Sequence, residues 1–239
     1  MLLDFKKKIK KLEEIFGIKT QKPNFFEKAL THTSFTKENE ISPLESYERL
    51  EFLGDAVLKL CISDILYKNF PEYAEGDLTK IRSIIVSDNM LAEVAKQIGL
   101  AELILLGKQE EKTGGRERKS IMACAFEAIL GAYYLEGKFK EISEFLEKAF
   151  DEFIKEVDEH SEKFNAKAVL QEYTQSQNKK LPEYNIVDEV GPEHDKIFVV
   201  EVRYMDKVLA SGQGKTKREA EQICAYEACV KLGAIKSEK

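Results

Sequence analysis

No apolar run of membrane-spanning length occurs in these 239 residues, so no helical transmembrane segment is expected. The opening stretch MLLDFKKKIKKLEEIFGI has neither a long apolar core nor a small-residue cleavage site. It reads as an amphipathic helix with Leu2, Phe5, Ile9, Leu12 and Phe16 on one face, not as a signal peptide. Histidine and cysteine are scarce. His32, His160 and His194 are scattered, and Cys61, Cys124, Cys224 and Cys229 lack any paired two-residue spacing. Neither a zinc site nor a disulfide framework is indicated, and reduced thiols in a cytoplasmic protein are the default. Excess positive charge is also missing, because 37 Lys and Arg face 43 Asp and Glu for a net charge of −6. A polycation that coats nucleic acid is thereby excluded, and any basic footprint must be local. No internal repeat or low-complexity tract appears. What remains, 43% hydrophobic and 10% aromatic residues, is enough for one large or two modest folded cores.

Up to about residue 157 the apolar positions recur at three- and four-residue spacing, which predicts helix after helix, with Pro71 and Gly76 marking one junction. Gly107 to Lys119, with its Gly114-Gly115 pair and dense charge, reads as an exposed loop. The polar, aperiodic DEHSEKFN predicts a linker over 158–164. The pattern then changes in kind. A helix over Ala166 to Ser176 is followed by strands at Glu183–Val190, IFVVEVRYM and VLASGQG, and by a helix from Thr216 to Leu232. The expected fold is an all-α domain over 1–157 followed by a small α+β (α-β-β-β-α) domain over 165–235.

Two of the helical segments carry acids in unusual company. In YERLEFLGDAVLKL, at about 100° per residue, Glu48, Glu51 and Asp55 share one narrow face, and Glu51 and Asp55 are an i, i+4 pair. Like charges on one face repel, so a positive partner is expected there. In IMACAFEAILGAYYL, Ile121 to Leu135, the only charged residue is Glu127. A carboxylate in so apolar a helix needs a partner or must lose its charge. Two such helices converging on one cation would offer oxygen ligands, which favour magnesium or manganese over zinc. The plainer alternative is two solvated helix faces that happen to carry acids.

The segment ERLEFLGDAVL resembles the signature of the ribonuclease III family over eleven residues. ALTHTSF (Ala29 to Phe35), EGDLTKIRSIIVSDNMLAEVA (Glu75 to Ala95) and IMACAFEAILGAYYLEG follow in the family's order. The tail resembles a double-stranded RNA-binding domain through AVLQEYTQ, LPEY, GPEH, IFVVEV and GQGKTKREAEQ. The resemblance implies a nuclease domain over 1–157 whose metal ligands are Glu51, Asp55 and Glu127, with Glu48 as an acidic residue beside them. It implies hydrolysis of duplex RNA with Mg2+, or Mn2+ as a substitute. The ends left would be 5′-phosphate and 3′-hydroxyl, and no small-molecule cofactor would be required. It further implies a homodimer, seated on the signature helix, that works in maturation of ribosomal and messenger RNA. Phe52, Leu53 and Val57 are candidates for that seam or, equally, for the core.

One position departs from the family pattern. Three residues before its glutamate the family's second helix carries aspartate, and here that residue is Cys124. A thiol with a reference pKa near 8.5 is mostly neutral at pH 7 and is a poor ligand for magnesium. Two readings follow. Either Glu127 carries the essential contact and the enzyme works with altered metal preference, or the chain is a catalytically impaired double-stranded RNA-binding protein. Retention of Glu48, Glu51, Asp55 and Glu127 together favours the first. A small buried apolar role for Cys124 is compatible with it.

In the tail, Gly212 and Gly214 are expected to allow an unusual turn into the last helix. Lys215, Lys217 and Arg218 then cluster at its start, where the helix dipole already favours anions. By resemblance this cluster meets phosphates across a major groove. Gln171, Glu172 and the loop around His194 would meet successive minor grooves of A-form RNA. His194 is a contact residue, a turn residue only, or part of a loop that contacts RNA through its backbone.

Overall fold

The computed structural model describes residues 2–159, 165–191 and 196–235. Its helices are α1 (Leu2–Phe16), α2 (Pro23–Ala29), α3 (Thr33–Glu38), α4 (Glu48–Asn69), α5 (Glu75–Ile85), α6 (Asp88–Gln97), α7 (Lys108–Lys112), α8 (Lys119–Leu135) and α9 (Phe139–Glu159). After them come α10 (Ala166–Asn178), the strands β1 (Glu183–Val190), β2 (Ile197–Tyr204) and β3 (Lys207–Gly214), and α11 (Lys217–Leu232). The chain divides into two compact units, Met1–Lys155 and Glu156–Lys239. The helical first half and the α-β-β-β-α second half are the fold class that the hydrophobic periodicities predict. Among the described residues no helix is long and apolar enough to cross a membrane.

The first unit is built around α8. Ile121, Phe126, Ile129, Leu130 and Tyr133 are all buried, and a helix apolar on every side needs neighbours on every side. Tyr133 is closed in by Phe16 of α1 and Phe26 of α2, at ring centroid distances of 5.5 and 4.6 Å, and its hydroxyl donates to the Ile18 carbonyl at 3.2 Å. The stripe Ile142, Leu146, Phe150 and Ile154 seats α9 in the same core. The helical periodicity does not break at 157, and α9 continues to Glu159. Asp158 and Glu159, expected to open the linker, are therefore helical, and 160–164 lie outside the described residues.

The charged stretch 107–119 also departs from expectation. It folds into α7 and a 3-10 turn at Gly115–Glu117. Arg116 is the physical reason. Its guanidinium donates to the Ala101 and Ile104 carbonyls and to both carboxylate oxygens of Glu111. The local charges satisfy one another and the carbonyls of a neighbouring turn.

The decisive contact is between α4 and α8. A Cβ at Gly54 would overlap the Glu127 carbonyl outright, and a Cβ at Gly131 would overlap the Leu50 carbonyl. The two helices thus cross backbone against backbone, closer than any side chain allows. Leu50, Val57, Leu58 and Ile62 fill the space on either side of the crossing.

In the second unit β1, β2 and β3 form an antiparallel sheet in that order. Val200 and Val202 point into a core closed by Ala166 and Leu170 of α10 and by Ala220, Cys224, Ala225 and Ala228 of α11. Gly212 and Gly214 end β3, and neither has a left-handed φ. Their role is close approach rather than a special turn. A Cβ at Gly212 would come within 2.5 Å of the Cys224 nitrogen, and one at Gly214 within 2.6 Å of the Ala220 nitrogen. The left-handed turn sits elsewhere, at Met205 (φ 49°) and Asp206 (φ 63°) between β2 and β3, the conformation that suits a two-residue hairpin.

Gly54→Ala is expected to lower the unfolding free energy by about 3 kcal/mol or more, because the added methyl meets backbone that has no rotamer to move. Urea denaturation of the full chain checks this. A midpoint equal to that of the wild type would show that the crossing tolerates a side chain.

Candidate active site and nucleic-acid interface

The glycine crossing sets the register of the acids. With Gly54 pressed on the Glu127 carbonyl, Glu51 and Asp55 flank the buried stripe of α4 on the side that faces α8. Glu48, Glu51, Phe52, Asp55, Asp88 and Glu127 together line one open cleft of about 510 Å³. All four acids singled out in the sequence are brought together. Glu48 stands exposed at the start of α4, Glu51, Asp55 and Glu127 are half-buried, and Asp88, which the sequence reading passed over, is exposed at the start of α6.

The cleft carries more negative charge than its surroundings compensate. Burial, then the charges of Asp55, Glu51 and Asp88, push the Glu127 carboxyl up to about 8. Burial also raises Glu51, with Glu48, Asp88 and Asp55 adding to it and a hydrogen bond from Cys124 opposing it. The cation at hand is Lys59, whose ammonium holds Asp55 at 2.7 Å. Carboxylates held together without a matching cation lose ionisation, which is what these shifts record.

Cys124 occupies a defined place in this network. Burial, and then its hydrogen bond to Glu51, push the thiol up to about 12. At neutral pH it is an uncharged S–H that donates to the Glu51 carboxylate. The buried Tyr47 lies beside Cys124, and burial raises its hydroxyl far above the ordinary tyrosine value. Cys124 thus sits between Tyr47 and Glu51 without adding charge to the cleft.

Among the described residues no three His, Cys, Asp or Glu side chains are gathered into a shell that would hold a metal as they stand. The donor set nevertheless fits a hard divalent cation. The acids are oxygen donors on an open wall, mutually repelled, and magnesium keeps several waters rather than demanding a closed protein cage.

In the second unit Lys215, Lys217 and Arg218 are all exposed at the start of α11. Thr216 caps the helix by accepting from the Glu219 nitrogen at 3.1 Å, and the Glu219 carboxylate accepts from the Lys215 nitrogen at 2.9 Å. This reciprocal cap fixes the turn from which the basic side chains project. Lys217 also lies over the Phe198 ring, 5.5 Å from its centroid. Gln171 and Glu172 are exposed on α10. His194 lies outside the described residues.

Known proteins agree with this division. A family described as "Ribonuclease-III-like" matches residues 22–153, and the "Double-stranded RNA binding motif" matches residues 166–232. The chain is 42% identical to "Ribonuclease 3" of Bacillus licheniformis over 225 residues, 93% of this chain and 89% of that protein. It is 40% identical to "Ribonuclease 3" of Borreliella burgdorferi over 220 residues, 92% and 89% of the two chains. Among solved structures, the nuclease domain of Ribonuclease III from Campylobacter jejuni, described as having a flexible region involved in dimer formation, superimposes with a TM-score of 0.55. It shares 38% identity and covers 60% of this chain and 96% of its own.

The raised Glu127 carboxyl has a consequence for stability. Between the ordinary glutamate value of 4.5 and about 8, the folded chain holds a proton that the unfolded chain has released. Stability from this group is therefore present at acid pH and lost as pH rises through about 8. In chelator, Glu127→Gln is expected to flatten the fall in unfolding free energy between about pH 5 and about pH 8.5. Urea titrations at both pH values check it, and parallel profiles for the two proteins would count against the uncompensated cleft.

Proposed function

The chain belongs to the ribonuclease III family and is a double-strand-specific endoribonuclease; on that premise we propose that its cleft is the metal-dependent active site and leaves 5′-phosphate and 3′-hydroxyl ends. The observation that carries this reading is the convergence of Glu51 and Asp55 from α4 with Glu127 from α8 on one wall. When bound, Mg2+, or Mn2+ in its place, supplies an activated water and Lewis-acid stabilisation of the departing oxygen. Glu51, Asp55 and Glu127 are the residues that would hold it, with Glu48 adding negative charge at the rim. Cys124 acts by positioning, since its thiol proton is committed to Glu51. The loss of one hard oxygen at Cys124 weakens the site without emptying it, because the remaining acids stay in place. The impaired, purely binding alternative rests on Cys124 alone.

The second unit supplies recognition. Lys215, Lys217 and Arg218 project from the positive end of α11 and suit phosphates, while Gln171 and Glu172 on α10 suit the 2′-hydroxyls of a minor groove. Shape, not sequence, is what such a surface reads. Long RNA duplexes, including ribosomal and messenger precursors, are the proposed substrates. The four cysteines are free thiols, in keeping with a cytoplasmic protein.

A homodimer is supported by α4. Phe52, Leu60 and Tyr67 are 83%, 57% and 73% exposed, and their spacing places them within an arc of about 80° on one helix face. Val57, the other seam candidate, is buried in the core, and Leu53 is half-buried. An exposed apolar stripe of this size is the mark of an interaction surface. It begins at Phe52, which also lines the acidic cleft.

Purified protein is expected to cut long duplex RNA in Mg2+ or Mn2+ and to leave it whole in chelator. Cys124→Asp should lower the Mg2+ concentration needed for half-maximal rate. Duplex that survives intact in both metals would favour the binding-only alternative. RNA affinity should fall steeply with salt, and Lys217→Ala should reduce the slope of log affinity against log salt by about one. Filter binding over a salt series reads that slope, and an unchanged slope would remove Lys217 from the interface.

A further inference from the structure

Asp88 follows a capping serine as a first-turn acid ordinarily does, yet it lines the cleft, where the chemistry assigned so far gives it no part. It is the first residue of α6, behind the cap that Ser87 makes, and it lines the same cleft as Glu51, Asp55 and Glu127. It thus brings a third helix to a wall otherwise built from α4 and α8. The packing of α6 on α8 is fixed at this end, because the Lys119 ammonium at the start of α8 donates to the Asn89 Oδ1 at 3.0 Å. Asn89 is thereby turned to Lys119, while the charge of its neighbour Asp88 is felt at Glu51, Cys124 and Glu127, one residue on α4 and two on α8. Among the described residues the Asp88 carboxylate makes no hydrogen bond or ion pair. Asp55, in contrast, is already engaged by Lys59.

The cleft is short of one thing, a hard donor at position 124. The Cys124 thiol is neutral, soft and committed to Glu51. Resting on the reading of this cleft as the metal site, we infer that Asp88 is a further metal-binding residue, reaching from the first turn of α6 to supply the anionic oxygen that Cys124 cannot. A short carboxylate on an exposed first turn is free to bind through a water or directly, and hard cations that retain part of their hydration accept either. The plain competing account is that Asp88 only stabilises the positive end of α6. That account predicts a small change in stability and none in metal binding.

The two accounts separate on metal affinity rather than on activity. Mn2+ binding to the full-length protein, without RNA, is followed by the electron paramagnetic resonance of the free ion. Wild type is compared with Asp88→Asn, Glu127→Gln, Cys124→Asp and the Asp88→Asn/Cys124→Asp pair. Asp88→Asn is expected to weaken Mn2+ binding about tenfold or more, and Cys124→Asp to restore it in the double variant, so that the two changes are not additive. Asp88→Glu should keep affinity near that of the wild type, which a loss by misfolding would not allow. If Glu127→Gln weakens binding and Asp88→Asn does not, Asp88 is a helix-end residue and the proposal is overturned while the metal site stands. If Asp88→Asn costs as much with Asp at 124 as with Cys, the idea that it replaces the missing donor is overturned. If wild type binds no Mn2+, or Glu127→Gln leaves binding unchanged, the reading of the cleft itself fails and the inference falls with it.

Discussion

Everything at the catalytic end of this molecule depends on how closely α4 and α8 approach. Gly54 and Gly131 let two backbones touch, and that contact places the carbonyl of Glu127 against the helix that bears Glu51 and Asp55. A wider crossing would still bury the apolar stripes of both helices. It would carry Glu127 away from its two partners, and the cleft would become two ordinary acidic faces. The packing term and the electrostatic term are therefore linked at a single point: dispersion and burial hold the helices together tightly enough that carboxylates must share a low-dielectric wall.

That sharing is unfavourable in the protein alone. Glu127 and Glu51 are both shifted upward by burial and by neighbouring charge, and Lys59 attends mainly to Asp55. Strain of this kind is common where a site is shaped for a ligand that brings the missing charge. The substitution at Cys124 fits into this balance in a specific way. A carboxylate there would add another negative charge beside Glu51. The thiol instead stays neutral and hydrogen-bonds to Glu51, with Tyr47 behind it, so repulsion inside the cleft is smaller. Lower charge weakens attraction for a cation, and the same step lowers the cost of folding without one.

Much of this is legible in the chain itself. The solitary Glu127 in an apolar run and the Glu48, Glu51, Asp55 face can be read by helical periodicity alone, and the switch to period-two alternation marks the sheet. What could not be read has identifiable causes. Asp88 follows a capping serine, so its position is explained at sequence level by the helix dipole, and its second role depends on where α6 lies against α8. The stretch 107–119 looks like a loop because its order comes from Arg116 bonding to carbonyls of residues 101 and 104, a contact that no periodicity carries. Gly212 and Gly214 look like turn residues, yet their conformations are ordinary. The tight fit of β3 under α11 requires them, and proximity between elements is invisible in a linear pattern.

The two units handle charge in opposite ways, and the net charge of −6 hides both. In the first, acids converge where burial makes Glu51 and Glu127 harder to ionise. In the second, Lys215, Lys217 and Arg218 are exposed on a capped helix start whose dipole has the same sign as they do. Neither device serves the other's purpose. A phosphate backbone approaching the acidic cleft unaided is repelled, and the basic turn has no group that can polarise a phosphodiester. On the proposed reading the basic turn draws duplex RNA in at long range, with a strength that salt screens. Against the acidic wall, on the proposed reading, a divalent cation would stand between the two sets of anions. Binding and chemistry are thus separable by ionic conditions: monovalent salt acts chiefly on the basic turn of the second unit, and divalent metal would act chiefly on the acidic cleft of the first.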